Sequence, residues 1–126
     1  DSIYEYLDNN HPPVIKEQAK DLNELIELLN EFFDETLVIS RKHNFRELDK
    51  LITKQQNILD NISKIKKKQI KYIKSEMVGT RNTLMYLNIL SETKNLVLYM
   101  VNMVKSHRDF IDSENTRGKH FVLASN

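Results

Sequence analysis

Thr80-Arg81-Asn82-Thr83-Leu84-Met85-Tyr86-Leu87-Asn88-Ile89-Leu90-Ser91-Glu92-Thr93-Lys94-Asn95-Leu96 decides the fold. Wound at 3.6 residues per turn, its apolar residues do not keep to one side. A surface helix carries one apolar stripe, whereas a helix apolar on more than one side needs cover from several directions. Asn88, Glu92, Thr93 and Asn95 lie inside that apolar surface. Polar groups so placed must be hydrogen-bonded or they destabilise the fold. The stretch reads as the first half of a long helix that is either the centre of a bundle or one face of a partner interface. That combination points to an interaction module rather than an enzyme.

The rest of the chain agrees with a helical reading. Its 126 residues make one domain. Gly 2 and Pro 2 are too few to punctuate a multi-stranded sheet, but they suffice for a few long helices. A net charge of +1 gives no bulk attraction for nucleic acid. Cys 0 removes disulfides, zinc fingers, iron–sulfur clusters and thiol chemistry. No apolar run reaches the length of a membrane-spanning helix, and no signal peptide is expected. The chain begins with Asp1 rather than Met, so it is expected to be a piece of a longer protein.

Residues 1–11 read as a short helical lead with Ile3, Tyr4 and Leu7 on one side, interrupted by His11-Pro12-Pro13. Residues 12–112 read as a three-helix domain. Helix 1 is predicted from about Pro13 to His43 on the spacing of Ile15, Ala19, Leu22, Leu25, Ile26, Leu29, Phe32, Phe33, Thr36 and Leu37. Helix 2 is predicted from Phe45 or Arg46 to about Met77, on Leu48, Leu51, Ile52, Ile58, Leu59, Ile62, Ile65, Tyr72 and Ile73, with Gln55 and Gln69 on the same stripe. Gly79 is expected to cap it in the left-handed conformation, and Thr80 or Asn82 to N-cap helix 3. Helix 3 is predicted to end near Ile111 or Asp112, leaving 113–126 as an irregular tail around Gly118. Short connections make neighbouring helices antiparallel, so the fold class is an all-α, up-down-up three-helix bundle. Helix 3 has more apolar surface than two neighbours can cover. Leu84, Leu87, Leu98, Met100, Val101 and Met103 are its expected interface residues, for a second copy (a homo-oligomer) or a larger host.

The polar constellations are weighed against ordinary surface roles. Lys64, Lys67, Lys71 and Lys74 share one face of helix 2. That face suits an anionic membrane surface, or it is a solvated face paired with Glu17, Asp21 and Glu24 of helix 1. Only Tyr72 interleaves with these lysines, which argues against single-stranded nucleic acid. Glu24, Glu27, Glu31, Asp34 and Glu35 line up on helix 1, but a di-metal bundle site also uses Glu-x-x-His motifs, which are missing. His43 and His107 are expected at helix C-termini, where the dipole favours a cation. No histidine pair has ligand spacing, and no phosphate loop or nucleophile motif is present. No catalytic residue, metal site or cofactor is therefore expected. Ser91 is expected to bond back to the preceding turn. On helix 3, Arg81, Asn82, Asn88, Glu92, Lys94, Asn95 and Asn102 remain. Asn88, Glu92, Asn95 and Asn102 fall on one side, either as buried hydrogen bonds that set helix register or as polar contacts to a partner helix.

The run Thr80-Arg81-Asn82 through Tyr86, then Asn88-Ile89-Leu90 and Glu92-Thr93-Lys94-Asn95-Leu96, resembles the last long helix of PhoU-like cytoplasmic domains. It is most similar to those appended to bacterial phosphate transporters of the sodium/phosphate-cotransporter or inorganic-phosphate-permease kind. The similarity continues through Asn102 and Val104-Lys105-Ser106-His107-Arg108-Asp109-Phe110. Helices 1 and 2 match only in general character. The resemblance implies three-helix bundles and a regulatory domain on the cytoplasmic side of the inner membrane, without chemistry of its own, acting by contact with the membrane domain of its parent transporter. Many PhoU proteins hold metal clusters through an E-x-x-x-D helix motif. Here Glu92 stands at the Glu position but Leu96 stands where Asp is expected, so the metal site is not carried over. The competing readings are a free-standing scaffold that binds a soluble protein and a metal-binding helical bundle.

Overall fold

The computed structural model describes residues 16–75 and 79–125. Within them the chain forms three helices and no strand: α1 (Lys16–Lys42), α2 (Leu48–Lys74) and α3 (Thr80–Ser125), with a 3₁₀ turn (Phe45–Glu47) ahead of α2. The predicted lead over residues 1–11 lies outside the described residues.

α1 and α2 are each 27 residues, about 40 Å. α1 ends at His43, a left-handed residue (φ 53°) that lets Asn44 N–H return to the Ile39 carbonyl (3.1 Å). α2 ends where both the N–H and the hydroxyl of Ser75 bond to the Lys71 carbonyl (3.0 and 2.9 Å). The C-cap of α2 is therefore Ser75 and not the expected Gly79. The Gly79 carbonyl instead accepts the N–H and hydroxyl of Thr83 (both 3.1 Å), which starts α3.

α3 is 46 residues, about 69 Å, and corrects the expected tail. Nothing between Ser113 and Ser125 stops a helix: there is no proline, and one interior glycine costs only about 1 kcal/mol. Thr116 Oγ1 bonds back to Asp112 O (3.0 Å), and Arg117 lies 3.6 Å from Glu114. Residues 112–118 are all exposed. His107 therefore sits well inside a helix, and its expected C-terminal position is corrected.

The core takes one stripe from each helix: Leu25, Phe32 and Ile39 from α1, Leu48, Leu51, Ile58, Ile62 and Ile65 from α2, and Tyr86, Leu90, Val97, Val101 and Val104 from α3. The start of α1 meets the C-terminal part of α2, where Gln18 Nε2 donates to Gln69 Oε1 (2.6 Å) with both residues fully buried. The N-terminal part of α3 arrives at the same end, where the Tyr86 hydroxyl donates to the Gln18 carbonyl (3.3 Å). At the other end the His107 ring on α3 lies edge-on to His43 and Phe45 (centroids 5.1 and 5.3 Å). α1 and α3 touch each other less than either touches α2.

Candidate functional site

That weaker contact leaves an apolar groove between α1 and α3. Near its His43–His107 end it widens into a cleft of about 340 Å³ lined by Thr36, Leu37, Ser40, Met100, Met103 and His107 among others. Of its lining, Leu37 of α1 and Met103 of α3 (53 %) are exposed. Elsewhere on α3, Ile89 (54 % exposed), Leu96 (47 %) and Phe110 (61 %) stay open, as do Met85 and Tyr99. Apolar side chains left half in water represent about 1 kcal/mol each of burial not yet realised, half of the full value. A contiguous face of them is unusual for a surface without a partner.

The expected interface divides. Leu84 and Met103 are exposed. Leu87 and Met100 pack half-buried against the core, and Leu98 is half-buried. Val101, at 1 % exposure, is a core residue, so its assignment to the outer surface is corrected. Ile89, Leu96, Tyr99 and Phe110 belong to the exposed face and were missed. The signal that would have found them is the exact seven-residue step from Ile89 to Leu96, Met103 and Phe110.

The polar set is also redrawn. Asn82 is buried, as is Thr83 beside it. Arg81, Asn88, Glu92, Lys94, Asn95 and Asn102 are exposed, so the reading of Asn88, Glu92, Asn95 and Asn102 as buried hydrogen bonds is corrected. The physical reason is phase: they lie on the side of α3 turned away from Tyr86, Leu90 and Val97. Ser91 does not bond back to the preceding turn; its Oγ accepts from Lys66 Nζ (3.1 Å) and ties α2 to α3. Thr93 makes the back-bond, to Ile89 O (2.8 Å).

On α2 the lysines separate by role. Lys68 pairs with the buried Asp21 of α1 (3.0 Å), and that hydrogen bond holds its pKa above the ordinary lysine value. Lys54 is held up the same way, first by its hydrogen bond to Glu35 (2.8 Å). Lys64, Lys67, Lys71 and Lys74 are exposed on the face opposite the core, and among the described residues no carboxylate pairs with them. The expected pairing with Glu17, Asp21 and Glu24 is corrected: Asp21 is taken by Lys68.

Burial pushes the Tyr86 hydroxyl up to about 12, with Asp21 and Tyr72 adding to the effect. Burial likewise raises Tyr72. These groups, with Gln18 and Gln69, form a polar latch at one end of the bundle. Among the described residues no three His, Asp or Glu side chains converge as metal ligands, and no helix is long and apolar enough to cross a membrane. No family model, curated protein or solved structure matches the chain.

Proposed function

We propose that this chain is a non-catalytic helical docking domain: a PhoU-like regulatory module on the cytoplasmic side of a bacterial phosphate transporter. It tunes phosphate uptake by helix–helix docking onto the transporter's membrane domain or onto a second copy of itself. The chain follows an antiparallel up-down-up course, a reading supported by the meeting of the starts of α1 and α3 with the end of α2. The observation that carries the docking role is the apolar cleft between α1 and α3. The narrower assignment to phosphate transport rests on the resemblance between Thr80 and Phe110. The face of Lys64, Lys67, Lys71 and Lys74, which no carboxylate among the described residues pairs with, fits an anionic membrane surface beside such a transporter.

Two measurements test this. The reading frame containing the chain should encode a multi-span hydrophobic region ahead of Asp1. A start codon immediately before Asp1 would overturn the transporter assignment in favour of a free-standing scaffold. In a strain that depends on the parent transporter, Leu37→Glu with Met103→Glu should change phosphate uptake while leaving the helical content of the isolated chain intact. Unchanged uptake sinks the docking role.

A further inference from the structure

The exposed side of α3 is more ordered than a loose apolar patch. Ile89, Leu96, Met103 and Phe110 recur at intervals of seven residues, all apolar and all about half exposed. Met85, Glu92, Tyr99 and Ser106 fall between them, so the steps alternate four and three. This is the spacing of a helix that packs on a second helix in a left-handed supercoil, crossing at about 20°. It is distinct from the inward seam of the same helix, which uses Tyr86, Leu90, Val97, Val101 and Val104. α3 thus carries two helix-packing seams, and its own bundle fills one.

We propose that the second seam receives the α3 helix of a second copy of this chain, running antiparallel. This inference rests on the docking reading above and names its occupant. Two observations favour a second copy. Asn88, Asn95 and Asn102 each precede a seam residue by one, forming an exposed column along its flank. An amide both donates and accepts, so the column is complementary to itself and attracts no charge of either sign. In an antiparallel pair like flanks face each other, which sets Asn95 against its own copy and Asn88 against Asn102. The seam from Met85 to Phe110 is 26 residues, about 39 Å, and α3 is a helix long enough to fill it. The pairing is isologous and closes as a two-fold dimer. Glu92 is the single charge on the seam, and two copies of it near the dyad weaken the pair.

The absence of cysteine makes the register directly readable. The sites are exposed, so the variants leave the core untouched. Under mild oxidation, full chain carrying Asn95→Cys should form a disulfide-linked dimer. Asn88→Cys and Asn102→Cys should each stay unlinked alone, but link when mixed. Leu96→Glu should weaken dimerisation in sedimentation equilibrium by at least about tenfold, and Glu92→Gln should tighten it several-fold. Self-linking of Asn88→Cys and of Asn102→Cys separately overturns the antiparallel arrangement. A monomer at high micromolar concentration with no linking in any variant overturns the second copy altogether. Met103 lies on both surfaces, so the groove is tested in the uptake assay with Leu37→Glu alone, which stands on α1 outside the seam, and the two failures are distinguishable.

Discussion

The Gln18–Gln69 pair offers the sharpest test of how the bundle holds its register. Both side chains are fully buried, and Gln18 Nε2 to Gln69 Oε1 is a short contact of 2.6 Å. Gln69 Nε2 also donates to Ile65 O (2.9 Å). Replacing Gln18 with Leu removes the donor and leaves the buried Gln69 Oε1 facing an alkyl group. The cost is the lost hydrogen bond plus the desolvation of that oxygen, about 1–3 kcal/mol. Gln69→Leu should cost a similar amount. The double variant places two leucines of comparable volume together, and its stability should return to within about 1 kcal/mol of the parent. The coupling energy is then about 1–3 kcal/mol in favour of the double variant. Urea unfolding followed by circular dichroism reads it directly, with unchanged m-values as the control. Additive losses, with the double variant the least stable, would refute the coupling of the two amides across the α1–α2 interface.

Phe32 is fully buried at the centre of α1, and Phe32→Ala should cost about 3–5 kcal/mol in the same unfolding assay. The neutral Tyr86 hydroxyl is favoured in the fold, whose pKa for it is about 12 against an ordinary value of 10.0. Stability should therefore be complete below pH 10 and fall as the pH rises from 10 toward 12, by at most about 1.4 kcal/mol per unit of that shift. Lys68 and Lys54, raised by Asp21 and Glu35, lose stability in the same direction on deprotonation. Tyr86→Phe should remove only the tyrosine part of the alkaline slope, seen as a shallower fall in melting temperature. Gly118 has no atom within 4 Å of where a Cβ would stand. Gly118→Ala should therefore stabilise that part of α3 by about 1 kcal/mol, read as slower amide hydrogen exchange around residue 118 with no change in the bundle core.

The helical class and most of α1 and α2 were legible because Leu25, Phe32, Leu51, Ile58, Ile62 and Ile65 follow steps of three and four on otherwise polar helices. α3 was harder because two of its faces obey that period. Val97, Val101 and Val104 go inward, while the larger Leu96, Tyr99, Met103 and Phe110 go outward. Periodicity alone cannot rank two equivalent seams, so Val101 was placed outside and Leu96 and Phe110 were passed over. The burial of Gln18 and Asp21 is not legible in the sequence for another reason. Pattern reading follows apolar residues, and these two are buried because Gln69 and Lys68 approach from α2, contacts 51 and 47 residues away in sequence. The end of α3 was misjudged because Ser113, Asn115, Thr116 and Gly118 resemble turn chemistry, yet none of them terminates a helix by itself.

The overrun of α3 has a hydrodynamic consequence. A compact globule of this chain length has a radius of gyration near 14 Å, hence a diameter of about 36 Å. A single rod of about 69 Å gives one molecule nearly twice that reach. A lone copy should leave a sizing column ahead of spherical standards of equal mass and mimic a pair. Light scattering, which weighs particles rather than measuring their drag, is the appropriate way to count them.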